Sequence, residues 1–157
     1  MIVTARPATN DDLELVATMA EAAIEELRPL RGGAVWANTD ARTQPLVDGL
    51  RREVAATDAT VLVGTIDDAP IGYAAAHHRM LHDGTTMARI TDLYVLPEAR
   101  RVGVGEALIL ALEAWARNDG LIALDSIALP GDRDTKNFFE TFGLVARALE
   151  VHRRIDP

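Results

Sequence analysis

The 157-residue chain contains no cysteine. That excludes disulfides, thiolate metal sites and a cysteine nucleophile together, and it suits a reducing compartment. A cytoplasmic location is expected. No apolar window approaches the length of a membrane span, and the opening MIVTARPATNDDLEL has no basic region followed by an apolar stretch. A soluble, non-exported protein with no membrane partner follows as the expectation. There is no repeat of fixed period, no low-complexity tract and no linker long enough to divide the chain, so residues 1–157 read as a single domain. Basic residues are in deficit: sixteen Lys and Arg stand against twenty-four Asp and Glu, a net charge of −8. Such a surface repels a polyphosphate backbone, so no nucleic-acid partner is expected, and amines or other cationic small molecules fit better.

What is present alternates between short strand and helix signals. Ile2 to Arg6 reads as a strand, and Thr9 with Asp12 three residues later forms a capping-box signature. Leu13, Val16, Ala20, Ile24 and Leu27 then share one helical face. PLRGGAVWANTD, from Pro29 to Asp40, reads as a loop anchored by Trp36, ahead of a second helix from about Ala41 to Ala55. A helix pair with a mobile join would serve as a lid. TVLVGTI at 60–66 and IGYAAAHH at 71–78 form a hairpin across Asp67, Asp68, Ala69 and Pro70. ARITDLYVL, from Ala88 to Leu96, leads through Pro97 to a helix whose apolar face holds Ala107, Leu108, Ala111, Leu112 and Trp115. A strand at about Ile122 to Leu129, a helix at about Asp134 to Thr141 ended by Gly143, and a last strand at about Leu144 to Ile155 complete the pattern. The order is mixed α/β with antiparallel hairpins.

Between the third strand and its helix stands Arg100-Arg101-Val102-Gly103-Val104-Gly105. Glycines at a helix start expose unpaired N–H groups at the positive end of the dipole, a cradle for an anion. Two familiar cradles are excluded. The dinucleotide fingerprint fails because its third glycine is Leu108, and the P-loop fails because no Gly-Lys-Ser/Thr follows.

The arginine-led form after Leu93-Tyr94-Val95 and Pro97 resembles the GNAT acyltransferase superfamily, with its signature of Gln or Arg, two residues, Gly, one residue, then Gly or Ala. The likeness extends along the chain. ARPATNDDLELV is similar to the family's opening strand and helix, GTIDDAPIGYAAA to its hairpin, DLYVLPEARRVGVGEAL to its central motif and NFFETFGLVAR to its closing helix and corner. The resemblance implies a mixed, mostly antiparallel sheet of about six to seven strands, splayed between strands 4 and 5 and flanked by about four helices. It also implies acetyl-CoA as donor, coenzyme A as product and no metal. N–H groups of Arg101, Val102, Gly103, Val104, Gly105 and Glu106 would hold the pyrophosphate, Arg100 would add positive charge, and Leu93, Tyr94 and Val95 would pair with the pantetheine arm.

With no cysteine to carry an acyl group, the implied chemistry is direct attack of a primary amine on the thioester, after loss of the ammonium proton. Here the sequence departs from its family. The usual acid is a tyrosine four residues before the corner glycine, and that position holds Phe139, which cannot donate. Tyr94, Ser126 and Asn137 remain as candidate donors, and Asp132 replaces a frequent asparagine at the start of that helix. The glutamate that some members use as base is Arg89 here, which leaves Asp92 as a neighbouring candidate or a structural residue. Adjacent His77 and His78 point to opposite sheet faces and have no partners at metal-ligand spacing. His77, Glu25 and Trp36 are candidates for receiving a cationic acceptor, whether a small molecule or a peptide or protein amine. The alternative reading is an acyl-CoA-binding sensor or regulatory module without turnover. The last strand, with Val145, Leu149, Val151 and Ile155, leaves an exposed edge that would pair two copies into a homodimer.

Overall fold

Alternation of apolar and polar residues draws Val3–Pro7 (β1), Ala59–Ile66 (β2), Ala69–Met80 (β3) and Thr86–Val95 (β4) into one sheet. The structure is a computed structural model describing residues 1–156. A fifth strand, Leu124–Asp125 (β5), closes the order β1-β2-β3-β4-β5, antiparallel except for the parallel β4–β5 pair. The hairpin turn is tighter than its composition suggests. Asp67 and Asp68 alone span it, both at positive φ, the conformation that matches the twist of paired strands.

Five helices cover the two faces. Leu13–Leu27 (α1), Gly33–Thr39 (α2) and Leu46–Ala55 (α3) precede β2, whereas Val104–Asn118 (α4) and Arg133–Thr141 (α5) follow β4. Period-two alternation divides the strand side chains between them. Val61, Val63 and Tyr73 pack with Val16, Met19 and Leu50 of the α1–α3 face, while Leu62, Ala74 and Ile90 pack with Leu108, Leu112 and Phe139 on the other. Leu108 and Leu112 are fully buried, each favouring the folded chain by about 1.5–3 kcal/mol over an exposed leucine.

Four expectations are corrected. The segment 29–40 contains the short helix α2, in which Asn38 Nδ2 and Thr39 Oγ1 donate to the carbonyls of Ala34 and Val35, so Trp36 sits on a helix and not in a loop. The second long helix begins at Leu46, not Ala41, because Pro45 disfavours helical backbone at Gln44; Ala41–Gln44 form an irregular join. The run 122–129 contributes only the two-residue β5, since β4 pairs with it solely at Ala88–Leu124 and Arg89–Asp125. Residues 144–155 form no strand, because no described strand lies beside them to complete a ladder. Among the described residues the sheet therefore has five strands where about six to seven were expected, and five α-helices flank it where about four were expected.

Candidate active site

The glycine segment folds into an open cradle. Arg101 and Gly103 both take positive φ, 68° and 100°, and Gly103 caps α4 in the left-handed conformation that glycine adopts without a Cβ penalty. No described group accepts from the N–H groups of Arg101 to Glu106. Successive free N–H groups at a helix N-terminus with alternating backbone hand make an anion-binding concavity. A Cβ at Gly103 would meet nothing within 4 Å, so the space above the cradle is open. At Gly105 a Cβ would lie 3.1 Å from Phe138 Cε2, so α5 packs closely against the start of α4. These residues fit a diphosphate, the group that coenzyme A presents.

Arg100, expected to add positive charge beside the cradle, is ion-paired. Its guanidinium makes two 2.8 Å hydrogen bonds to Glu26 on α1, its Nε donates to the Val95 carbonyl, and it lies 5.4 Å over the Tyr94 ring. The Glu26 hydrogen bond raises the Arg100 pKa. Tyr94 is buried under that cation, and burial raises its hydroxyl pKa. The approach to the cradle is thus braced to α1, with Val102, Val104 and Glu106 following in the turn and first turn of α4.

Beyond Asp125 the chain leaves β4, so the edge of β4 at Leu93–Val95 has no strand beside it. On the α3 side of the sheet a cleft of about 480 Å³ reaches β4 at Thr91 and Asp92, the residues just before that edge. Its floor is a buried ionic network. Ala75 pairs with Asp92 and Ala76 with Ile90, leaving Thr91 as a bulge residue that brings Thr91 and Asp92 to the cleft wall. Arg42, 9% exposed, bridges Asp92 at 2.8 Å and both oxygens of Glu53. Asp92 also accepts from Tyr73 Oη at 2.7 Å and from Thr91 Oγ1 at 2.7 Å. Burial opposes the Arg42 charge, but hydrogen bonds and charges from Glu53 and Asp92 outweigh it and raise its pKa. Burial also pushes Tyr73 well above the ordinary tyrosine value, so its hydroxyl stays protonated and donates.

The other sequence candidates are scattered around this cleft. His77 lines it; Glu25, exposed and paired with Arg28, lines a smaller hollow of about 310 Å³ between α1 and the end of α2. Trp36 lines neither. Ser126 Oγ donates to the Ile90 carbonyl at 3.0 Å where β5 departs. Asn137 is exposed on α5, and Phe139 is buried in the apolar cluster beside α4. Asp132 caps α5 by accepting from Thr135 N. His78 belongs to the opposite face, 2.9 Å from Asp119 and against Trp115. Sequence reading missed Arg42 and Glu53. Their partners lie 11 and 50 residues apart, so no local spacing marks them.

A family model described as Acetyltransferase (GNAT) family matches residues 30–144. It belongs to the GNAT acetyltransferase family. No curated protein matches it by sequence. Solved structures share its fold. AAC(6')-Iy, in complex with the bisubstrate analogue CoA-S-monomethyl-acetylneamine, is 18% identical with a TM-score of 0.77, and all of both chains is covered. A GCN5-related N-acetyltransferase from Ralstonia eutropha JMP134 is 22% identical with a TM-score of 0.75, covering 98% of this chain and 99% of that one. A ribosomal-protein-alanine N-acetyltransferase from Brucella melitensis biovar Abortus 2308 is 16% identical, TM-score 0.71, covering 99% and 100%.

Proposed function

We propose that the protein is an acetyl-CoA-dependent N-acetyltransferase, one domain over residues 1–157, acting on a primary amine of a small molecule, peptide or protein. The observation that carries this reading is the row of free N–H groups from Arg101 to Glu106 at the positive end of α4. The coenzyme A moiety bound by the structural neighbour supports the choice of donor. Acetyl-CoA, when bound, would supply the acetyl group as an activated thioester. The unpaired edge at Leu93–Val95 would hold the pantetheine arm through strand-like main-chain bonds, except at the Val95 carbonyl, which already accepts from Arg100.

The acceptor would enter the cleft beneath α3. Four carboxylates line it, Asp40, Glu53, Asp58 and Asp92, against the guanidiniums of Arg42 and Arg52. The negative surplus draws an ammonium and repels anionic acceptors. A second reading, an acyl-CoA sensor without turnover, is favoured by Phe139, whose buried ring offers no proton to a leaving thiolate.

Release of coenzyme A thiol from acetyl-CoA, followed with a thiol-reactive dye across a panel of amines, separates the two readings. The protein adds no thiol of its own. Amine-dependent release is expected; calorimetric binding of acetyl-CoA without release would favour the sensor. Gly103→Glu places a carboxylate over the cradle and is expected to weaken acetyl-CoA binding at least about tenfold, or about 1.4 kcal/mol. Gly103→Asn, which tolerates the left-handed conformation, is expected to keep most of the affinity. Unchanged affinity in the glutamate variant would refute the cradle assignment.

A further inference from the structure

Resting on the acyl-transfer reading, we propose that His77 is the general base that takes the proton of the acceptor ammonium. Its Nδ1 lies 2.8 Å from the carbonyl oxygen of His78. A carbonyl only accepts, so Nδ1 carries the hydrogen and the neutral ring presents its lone pair at Nε2. No described group bonds to Nε2, and no buried side-chain nitrogen or oxygen among the described residues lacks a partner. Nε2 is therefore accessible, on a ring that lines the cleft.

The surrounding groups leave this role to His77. Asp92 is engaged by Arg42, Tyr73 and Thr91, and Glu53 by Arg42. Asp40 and Asp58 are exposed, where bulk water occupies their carboxylates. Arg52 of α3 is a cation, and Arg89, the cross-strand partner of His77, is turned to Asp125 at 3.0 Å. His77 is also rigidly placed, since its strand pairs on both sides, with Ala59 of β2 and Arg89 of β4.

The proton balance is complete. Nε2 takes one proton from the ammonium, and the freed nitrogen lone pair forms the C–N bond at the thioester carbonyl. As the C–S bond breaks, the second amine proton passes to the leaving sulfur. His77, now protonated on both nitrogens, returns its proton to water at the cleft mouth.

The test uses the full chain and an amine that the wild type acetylates. His77→Gln is expected to lower kcat/KM by about 10²–10⁴-fold and to remove the acid limb of its pH profile, while acetyl-CoA affinity by calorimetry stays within about twofold. His77→Ala opens a ring-sized space to the cleft, and added imidazole is expected to restore rate in proportion to its free-base concentration. Wild-type turnover, with His77→Gln matching it in rate and pH profile or His77→Ala unresponsive to imidazole, overturns the base assignment alone. Failure of the wild type to release thiol with any amine overturns the acyl-transfer reading and this inference with it.

Discussion

Asp12 joins two levels of structure through one carboxylate. Locally it completes the capping box, accepting from the Thr9 N–H at 2.7 Å; across the fold it receives both Arg6 Nη atoms, at 2.8 and 3.0 Å. The Arg6 hydrogen bond is the main cause that holds its carboxyl down to about 2, below the ordinary aspartate value of about 3.9. The unfolded chain therefore binds this proton more readily, so the stabilisation is present above about pH 4 and disappears as pH falls towards about 2. Because Arg6 is partly exposed, about 1–2 kcal/mol is the scale expected. Asp12→Asn is expected to lose that amount at pH 7 and to show a flatter chemical-denaturation stability between pH 4 and 2; an unchanged slope would refute the link. The Thr9–Asp12 half of this contact is legible in sequence because it spans three residues. The Arg6 half depends on how β1 leads into α1, and only the fold reveals it.

At the scale of elements, legibility follows length and partners. α1 and α4 repeat their apolar face over fifteen residues each, which makes them plain in sequence. α2 covers only seven residues, Gly33–Thr39, and starts within Gly-Gly and ends within Asn-Thr-Asp, too short for periodicity to outweigh those signals. The expected last strand has the right alternation, but a strand also needs a neighbour, and the ladder on β4 stops at Asp125. The glycine cradle is readable because its residues are consecutive. The cleft is not, since α3, β3 and β4 supply its wall from distant segments. Arg42 ties these elements together from the join before α3. Arg42→Met is expected to cost about 3–5 kcal/mol, because it leaves Glu53 and Asp92 close together, largely buried and without a cation. Urea midpoints of the variant and the wild type at pH 7 measure that loss, and a variant as stable as the wild type would refute it.

At the scale of the whole molecule, the chain after α5 carries large apolar residues that the protomer does not cover. Val145, Leu149, Val151 and Ile155 are 75–95% exposed, and Arg147 is the residue there that grips β5, with Nε 2.6 Å from Asp125. Exposure of this kind along an alternating segment suits pairing with a second copy, the homodimer expected from the sequence, even though the segment forms no strand by itself. Light scattering is expected to give about twice the 17.0 kDa chain mass, and Val151→Asp to shift the population to monomer. A wild type that remains monomeric at high micromolar concentration would refute the homodimer.

The brief contact between β4 and β5 has a mechanical consequence. The sheet is a laminate with a notch, stitched from Thr86 to Arg89, pinned once more by Ser126 at the Ile90 carbonyl, and open beyond it. A molecule wedged into the notch would load those stitches first, and Asp125, riveted by both Arg89 and Arg147, couples the last of them to the tail after α5.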